Sequence, residues 1–287
     1  MNKQLELFGE TIHAGVGYIR NQINTVKIKA KAALGYGTNN PIKYKEFKNI
    51  KGVDRTPLFG KYFKTGDIVE LAGAQGGGKS FLTYKMITAI CTGGQFLGEY
   101  APQAKKVLLL DGELPVDDVN HRFDNILNLL NVEQLSLFEN NFSIINREFA
   151  GGLLPDLCKL QENDQLFIDM LKFDVVVIDS LKTNTFGSNI SSADEISGLI
   201  RLFLLLKAQG VTVIYINHFT KGEVVLGSVD FDIINDVTLK FSIDKKKGCG
   251  VRKLEVVKGR SMSDAEKAPT YFTFHPDEHG TPFRQVA

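Results

Sequence analysis

One octapeptide constrains the fold of this chain more than any other feature. Gly73-Ala74-Gln75-Gly76-Gly77-Gly78-Lys79-Ser80 follows the apolar run Ile68-Val69-Glu70-Leu71-Ala72 and opens a helical stretch, 79–92. Strand, glycine-rich turn and helix in that order give G-x-x-x-x-G-K-[ST] the setting its mechanism needs. Glycines let successive backbone N–H groups turn inward around phosphate oxygens, and the helix N-terminus adds its positive end. Lys79 is placed to reach β- and γ-phosphates, and the Ser80 hydroxyl to bind Mg²⁺. The segment from Gly73 through Ser80 to Phe81 is therefore assigned to a nucleoside triphosphate.

The rest of the chain obeys the same architecture. Apolar, β-branched runs recur at 68–73, 107–111, 142–146, 175–179 and 211–217, with helical stretches at 79–92, 115–131, 154–171 and 192–208 between several of them. Runs buried on both faces and separated by helices predict an α/β fold, a mainly parallel twisted sheet covered on each side. The last third, 235–244, 253–259 and 270–275, reads as antiparallel strands extending that sheet. With 287 residues there is room for one large α/β domain or two small ones. A 43% hydrophobic and 23% charged composition excludes a disordered or collagen-like chain. No apolar run reaches the roughly 18 residues of a membrane span, and no signal peptide opens the sequence. Cys91, Cys158 and Cys249 stand far apart and odd in number, which reads as reduced thiols in a cytoplasm.

Charge is divided unevenly. Residues 1–64 hold 12 Lys/Arg against 4 Asp/Glu, +8, and the remainder 22 against 29, −7. Leu5, Phe8, Ile12, Val16, Ile19, Ile23 and Val26 form one apolar stripe on a predicted leader helix, followed by a linker at Gly35–Pro41. The expected organisation is a basic amphipathic leader and linker over 1–44 and a catalytic core over 45–287. A basic arm of this kind suits nucleic acid or a neighbouring subunit, although a lysine-rich leader is also plain solvated surface.

Two runs end in aspartate, Asp111 and Asp179. Parallel strands present their carboxyl ends on one side of the sheet, where ligands bind, so both acids can face the phosphates. Asp179, with four β-branched residues before it and Ser180 after it, is the better Mg²⁺ partner. Glu113, two residues beyond Asp111, has the alternation and reach to orient a water and is assigned general base. Asp-Gly-Glu-Leu-Pro is equally sound turn chemistry.

Phosphate loop, a strand ending in Asp-Gly-Glu, the aspartate strand, and a strand ending in Ile216-Asn217-His218 together resemble the RecA-like ATPase core over about residues 50–275. Within that class the order of parts is most similar to the ring-forming replicative helicases of the DnaB and plasmid RepA kind. The resemblance implies an ATP- and Mg²⁺-dependent hydrolase in which Glu113 activates water, Asp179 supports the metal and His218 (or Asn217) senses the γ-phosphate. It further implies that Lys258-Gly259-Arg260 is a K-x-R element inserted into the neighbour's site, Arg260 acting in trans with Lys258 beside it. Read without the resemblance, the two are surface cations at a strand end.

Such rings hold single-stranded DNA through loops after the aspartate and sensor strands. Here those are Lys182-Thr183-Asn184 through Phe186 to Asn189, and Thr220-Lys221 through Ser228, with Lys182, Thr183, Asn184 and Lys221 as phosphate contacts and Phe186 as a stacking ring. The function implied is a DNA helicase or translocase in replication, working as a homo-oligomeric, hexameric ring in which the leader helix clamps the adjacent subunit. A recombinase or strand-annealing ATPase, and a KaiC-like regulatory ATPase with no polymer substrate, share the same core. The adenine pocket has only Tyr84, Tyr100 and Phe283 as aromatic candidates.

Overall fold

The computed structural model describes residues 41–190, 192–218, 229–248, 250–274 and 283–285; the expected leader helix, Lys221 and Cys249 lie outside them. Two compact units divide at Gly52/Val53. In the first, the described residues hold one short helix, Tyr44–Phe47.

The second unit is built on a central sheet whose strands, in chain order, are β1 (Ile68–Gly73), β2 (Val107–Asp111), β3 (Phe142–Asn146), β4 (Val175–Asp179), β5 (Thr212–His218), β6 (Val237–Ile243), β7 (Val251–Gly259), β8 (Thr270–Phe274) and β9 (Phe283–Gln285). Their order across the sheet is β9-β8-β7-β6-β1-β5-β4-β2-β3. The six from β6 to β3 are parallel, while β7, β8 and β9 continue the sheet antiparallel. The helices are α1 (Lys79–Thr92), α2 (Val116–Leu127), α3 (Val132–Asn141), α4 (Gln165–Met170), α5 (Leu181–Asn184), α6 (Ala193–Ala208) and α7 (Val229–Ile234). Two small hairpins, Pro57–Lys64 and Gln95–Tyr100, complete the unit.

Strand alternation sorts the side chains onto two faces. Val69, Leu71, Leu109, Val177, Ile214 and Ile216 pack in one apolar cluster with Leu82, Ile87 and Ile90 of α1, Phe123 of α2 and Phe138 of α3. Leu108, Leu110, Val176, Ile178, Val213 and Tyr215 pack in the other with Leu199, Phe203 and Leu206 of α6. Both faces are thus dry, which is why the strands read as continuous apolar runs. Helix α1 is buried at 11 of its 14 positions. It tolerates three buried threonines because Thr83, Thr88 and Thr92 each donate to the carbonyl four residues back.

Two expected helices differ from the structure. The 115–131 stretch ends at Leu127, and Asn131 starts α3 through a reciprocal capping box with Gln134. The 154–171 stretch holds only a 3₁₀ turn at Leu157–Lys159 and the six-residue α4, because Asp156 caps the turn and Asp164 opens a new start.

Candidate functional site at the phosphate loop

The alternation that builds the core also builds the site. Asp111 pairs with Asp179, and Gly73 pairs with His218. All four share the strand face that packs on α1, so the phosphate loop, both aspartates and the histidine meet at one corner of the sheet's carboxyl edge.

Gly78 adopts φ 99° as the residue before α1, and Gly76 adopts φ 71°. A Cβ at Gly78 would lie 2.8 Å from the Phe274 ring, whereas one at Gly76 would meet nothing, leaving the crest of the loop open to a ligand. The first turn of α1 carries no acidic residue to oppose an anion. The Lys79 ammonium donates to the carbonyl oxygens of Gly73 and Ala74, both at 2.8 Å, and lies 3.1 Å from His218 Nδ1. An ammonium has three hydrogens and no lone pair, so Nδ1 accepts and the ring proton sits on Nε2. That Nε2–H faces Glu113 Oε1 at 3.1 Å. Lys79, His218 and Glu113 therefore form one continuous relay. Burial lowers the Lys79 pKa against the opposing charges of Asp179 and Glu113. The hydrogen bond from His218 leads the effects that hold the Glu113 carboxyl below its usual value, with help from Ser180 and the Lys79 charge.

Asp179 and Asp111 have different environments. Asp111 is consumed by the turn that follows it: Oδ1 accepts the N–H groups of Glu113 (2.9 Å) and Leu114 (3.1 Å), and Oδ2 faces the Tyr84 hydroxyl at 3.3 Å. It shapes the Gly112-Glu113 corner and has little left for a metal. Asp179 is 1% exposed, and neither carboxylate oxygen has a partner with hydrogen-bond geometry. Burial, with the Glu113 and Asp111 charges adding, pushes it up to about 7, while Ser80 is near enough to pull it partly back. A buried carboxylate with both oxygens unsatisfied beside a hydroxyl is the donor set a hard divalent cation fits. Ser80 and Asp179 are the residues that would hold Mg²⁺.

The remaining sequence candidates are distributed as follows. Lys258 pairs with Thr238, and Gly259 with Val237, which pairs in turn with Val69. Lys258 and Arg260 therefore stand at the opposite edge of the sheet from Gly73, about 13 Å away along β1 before the loop even begins. A register shift beside Thr238, which leaves Val257 without a partner, precedes them and re-aims the strand end. The Arg260 guanidinium donates to the Ile233 carbonyl. In the 182–189 segment, an open loop is replaced by α5 and a turn. Asn184 is buried, its amide donating to Ser180 O at 2.9 Å, and the Thr183 hydroxyl turns back to the same carbonyl. That corrects the expectation for Asn184, which has no surface to offer a polymer; Lys182 and Phe186 are exposed. Tyr84 is fully buried against Phe123 and so is no base platform, and Tyr100 belongs to the Gln95–Tyr100 hairpin. The aromatic surface that adjoins the loop joins Phe81, which the sequence already assigns to the nucleotide, to Phe274, which it does not; the rings lie 5.6 Å apart, flanked by the Arg122 and Arg252 guanidiniums. Arg252 also reaches Gly77 O at 3.4 Å. Phe81 follows the loop directly in sequence, whereas Arg122 on α2, Arg252 on β7 and Phe274 on β8 reach it only through tertiary packing and strand pairing, so no local signal marks those three.

Among the described residues no helix is long and apolar enough to cross a membrane. Cys91 and Cys158 are free and buried.

Comparison with known proteins agrees with this geometry. A family model described as an AAA domain matches residues 51–224. The chain is 27% identical over 207 residues to a ribose/galactose/methyl galactoside import ATP-binding protein of Geobacillus kaustophilus, and 24% identical over 202 residues to one of Halalkalibacterium halodurans. Each match covers 61% of this chain, and 38% and 36% of the two relatives, so the chain spans less than two fifths of their length. The flagellar accessory protein FlaH of Methanocaldococcus jannaschii has the same fold, with a TM-score of 0.55 at 13% identity, over 78% of this chain and 90% of that one. The AAA-domain match extends over more than half of the sequence and the phosphate-loop corner has the matching architecture: the chain belongs to the AAA domain family and is a RecA-like P-loop ATPase.

Proposed function

We propose that this ATPase is a ring-forming translocase or helicase on single-stranded DNA, hydrolysing ATP between adjacent copies. The observation that carries the reading is the separation of parts: Lys79, Glu113 and His218 converge at one edge of the sheet, while Lys258 and Arg260 stand at the other. An Arg side chain cannot span that distance to its own loop. An arginine finger at that edge would serve the phosphate loop of a neighbouring copy and would make turnover depend on assembly.

Within one copy the residues divide the work. Lys79 exchanges the Gly73 and Ala74 carbonyls for phosphate oxygens. In doing so it withdraws a hydrogen bond from His218 Nδ1, and the Nε2–H that faces Glu113 registers the loss. Glu113, held ionised, accepts the proton of the attacking water. Ser80 and Asp179 would hold Mg²⁺, which when bound would supply charge neutralisation to the phosphates. Lys182 and the exposed Phe186 ring are the candidate polymer contacts among the described residues.

The test compares ATP hydrolysis with and without single-stranded DNA, then strand displacement from a forked duplex, with Lys79→Ala as the blank. Stimulation together with displacement supports the helicase reading. Stimulation with pairing and no displacement points to a recombinase, and indifference to DNA points to a regulatory ATPase.

A further inference from the structure

The residue after the metal-site aspartate has a role of its own. Ser180 is fully buried, and its hydroxyl donates to Glu113 Oε1, the same oxygen that faces His218 Nε2. Glu113 Oε2 accepts from none of the described residues. A carboxylate with both donors on one oxygen has a fixed rotamer and a free second oxygen, which is the geometry a base needs to take a proton from water.

The two donors differ in how firmly they are held. His218 is shared with Lys79 at 3.1 Å, so its position follows whatever occupies the phosphate loop. Ser180 is anchored by backbone. Its N–H donates to Thr183 Oγ1 at 3.1 Å, and its carbonyl accepts from the Thr183 hydroxyl (3.0 Å), the Asn184 N–H (3.2 Å) and the Asn184 amide (2.9 Å). The Glu113 corner reaches this anchor because Gly112 has no side chain. A Cβ there would sit 2.4 Å from Thr183 Oγ1, and the Gly112 N–H already extends the ladder to Asp179 O at 2.7 Å.

We propose that Ser180 is a positioning residue that aims Glu113, the nucleotide-independent donor of the pair, while His218 is the donor that varies. This rests on the reading of Glu113 as general base. Removing a hydrogen bond to a charged group costs about 1.5–3 kcal/mol, which corresponds to roughly 10- to 150-fold. Ser180→Ala is therefore expected to lower kcat by about 10- to 100-fold, with KM for ATP and calorimetric affinity for Mg²⁺–ADP within about twofold of the parent. That affinity also reports an intact phosphate loop.

Residues acting as a unit are non-additive, so in a Glu113→Gln background the same serine change should alter residual single-turnover hydrolysis by less than about threefold. Equal losses in both backgrounds would show a generic packing role and overturn the proposal. So would an unchanged kcat, or a parallel loss of Mg²⁺–ADP affinity. If Glu113→Gln alone keeps parental turnover, the base assignment fails, and the Ser180 role fails with it, by a result that Ser180→Ala alone would not give.

Discussion

Mixing two inactive variants tests the separation of Lys79 from Arg260 more directly than any single change. Gly259 stands level with Val69 through Val237, and Gly73 lies four residues further along β1, about 13 Å away. Lys79→Ala and Arg260→Ala each disable every site of a pure assembly, the arginine change costing about 10³–10⁵ in rate. In an equimolar mixture, a site is intact when its loop comes from an Arg260→Ala copy and its arginine from an adjacent Lys79→Ala copy. Random head-to-tail assembly satisfies both conditions at about one interface in four, so the mixture should regain about a quarter of parental turnover per site. The assay is steady-state ATP hydrolysis on a mixing series at fixed total protein, with recovery peaking at equal proportions. A flat series no higher than the two variants alone would refute the trans assignment. Recovery that survives dilution to monomer would refute the geometric argument as well.

Other changes have effects of known sign. Gly112→Ala drives a methyl against Thr183 and should cost about 1–3 kcal/mol of stability by urea titration, while lowering turnover more than nucleotide affinity. Asp179→Asn should stabilise the nucleotide-free protein by at most about 4 kcal/mol above neutral pH, since it removes a buried, unpartnered carboxylate whose pKa stands near 7 rather than 3.8, and should abolish the Mg²⁺ dependence of ADP binding in calorimetry. Glu70 is buried at the sheet centre and accepts from the Asn217 amide (2.9 Å) and the Asn235 amide (3.0 Å). Glu70→Gln sets a donor against one of those donors and should cost about 1–3 kcal/mol at acid pH. Burial raises the Glu70 pKa, so its contribution to stability is full below the ordinary carboxylate range and is lost as pH rises through the raised value. The deficit of the glutamine variant should therefore shrink with rising pH in urea melts; a constant or widening gap would contradict this. Gly198→Ala places a Cβ 1.9 Å from the Cys158 carbonyl, where backbone must move, and should lower the thermal midpoint by several degrees.

Where local chemistry sufficed, the sequence already disclosed the fold. The bounds of α1 and of β1, β2 and β4 coincide with their apolar runs, because strands buried on both faces and a helix opened by a glycine loop leave little ambiguity. The phosphate loop and the convergence of Glu113, Asp179 and His218 were legible for the same reason: each ends or follows a parallel strand. Reading failed where a cap outranked periodicity, as at Asn131, or where turn chemistry did, as at Asp156 and Asp164. It also failed where proximity comes from register rather than spacing. Ser180 reaches Glu113 across 67 positions, and Arg252 reaches Gly77 across 175. Asn184 looked like a loop residue because polarity marks turns, and nothing local revealed that its amide would be needed by buried carbonyls.

The enclosure of α1 has a consequence for how binding at its tip can be transmitted. A rod walled in at 11 of 14 positions cannot tilt or slide without disturbing the larger of the two apolar clusters among the described residues. Displacement on nucleotide binding has to be confined to the rim, in the Lys79 and His218 side chains and the corner that carries Glu113. Spectroscopic labels along the middle of the rod should stay silent through the cycle while labels at the rim respond, leaving the anvil still and only the striking face in motion.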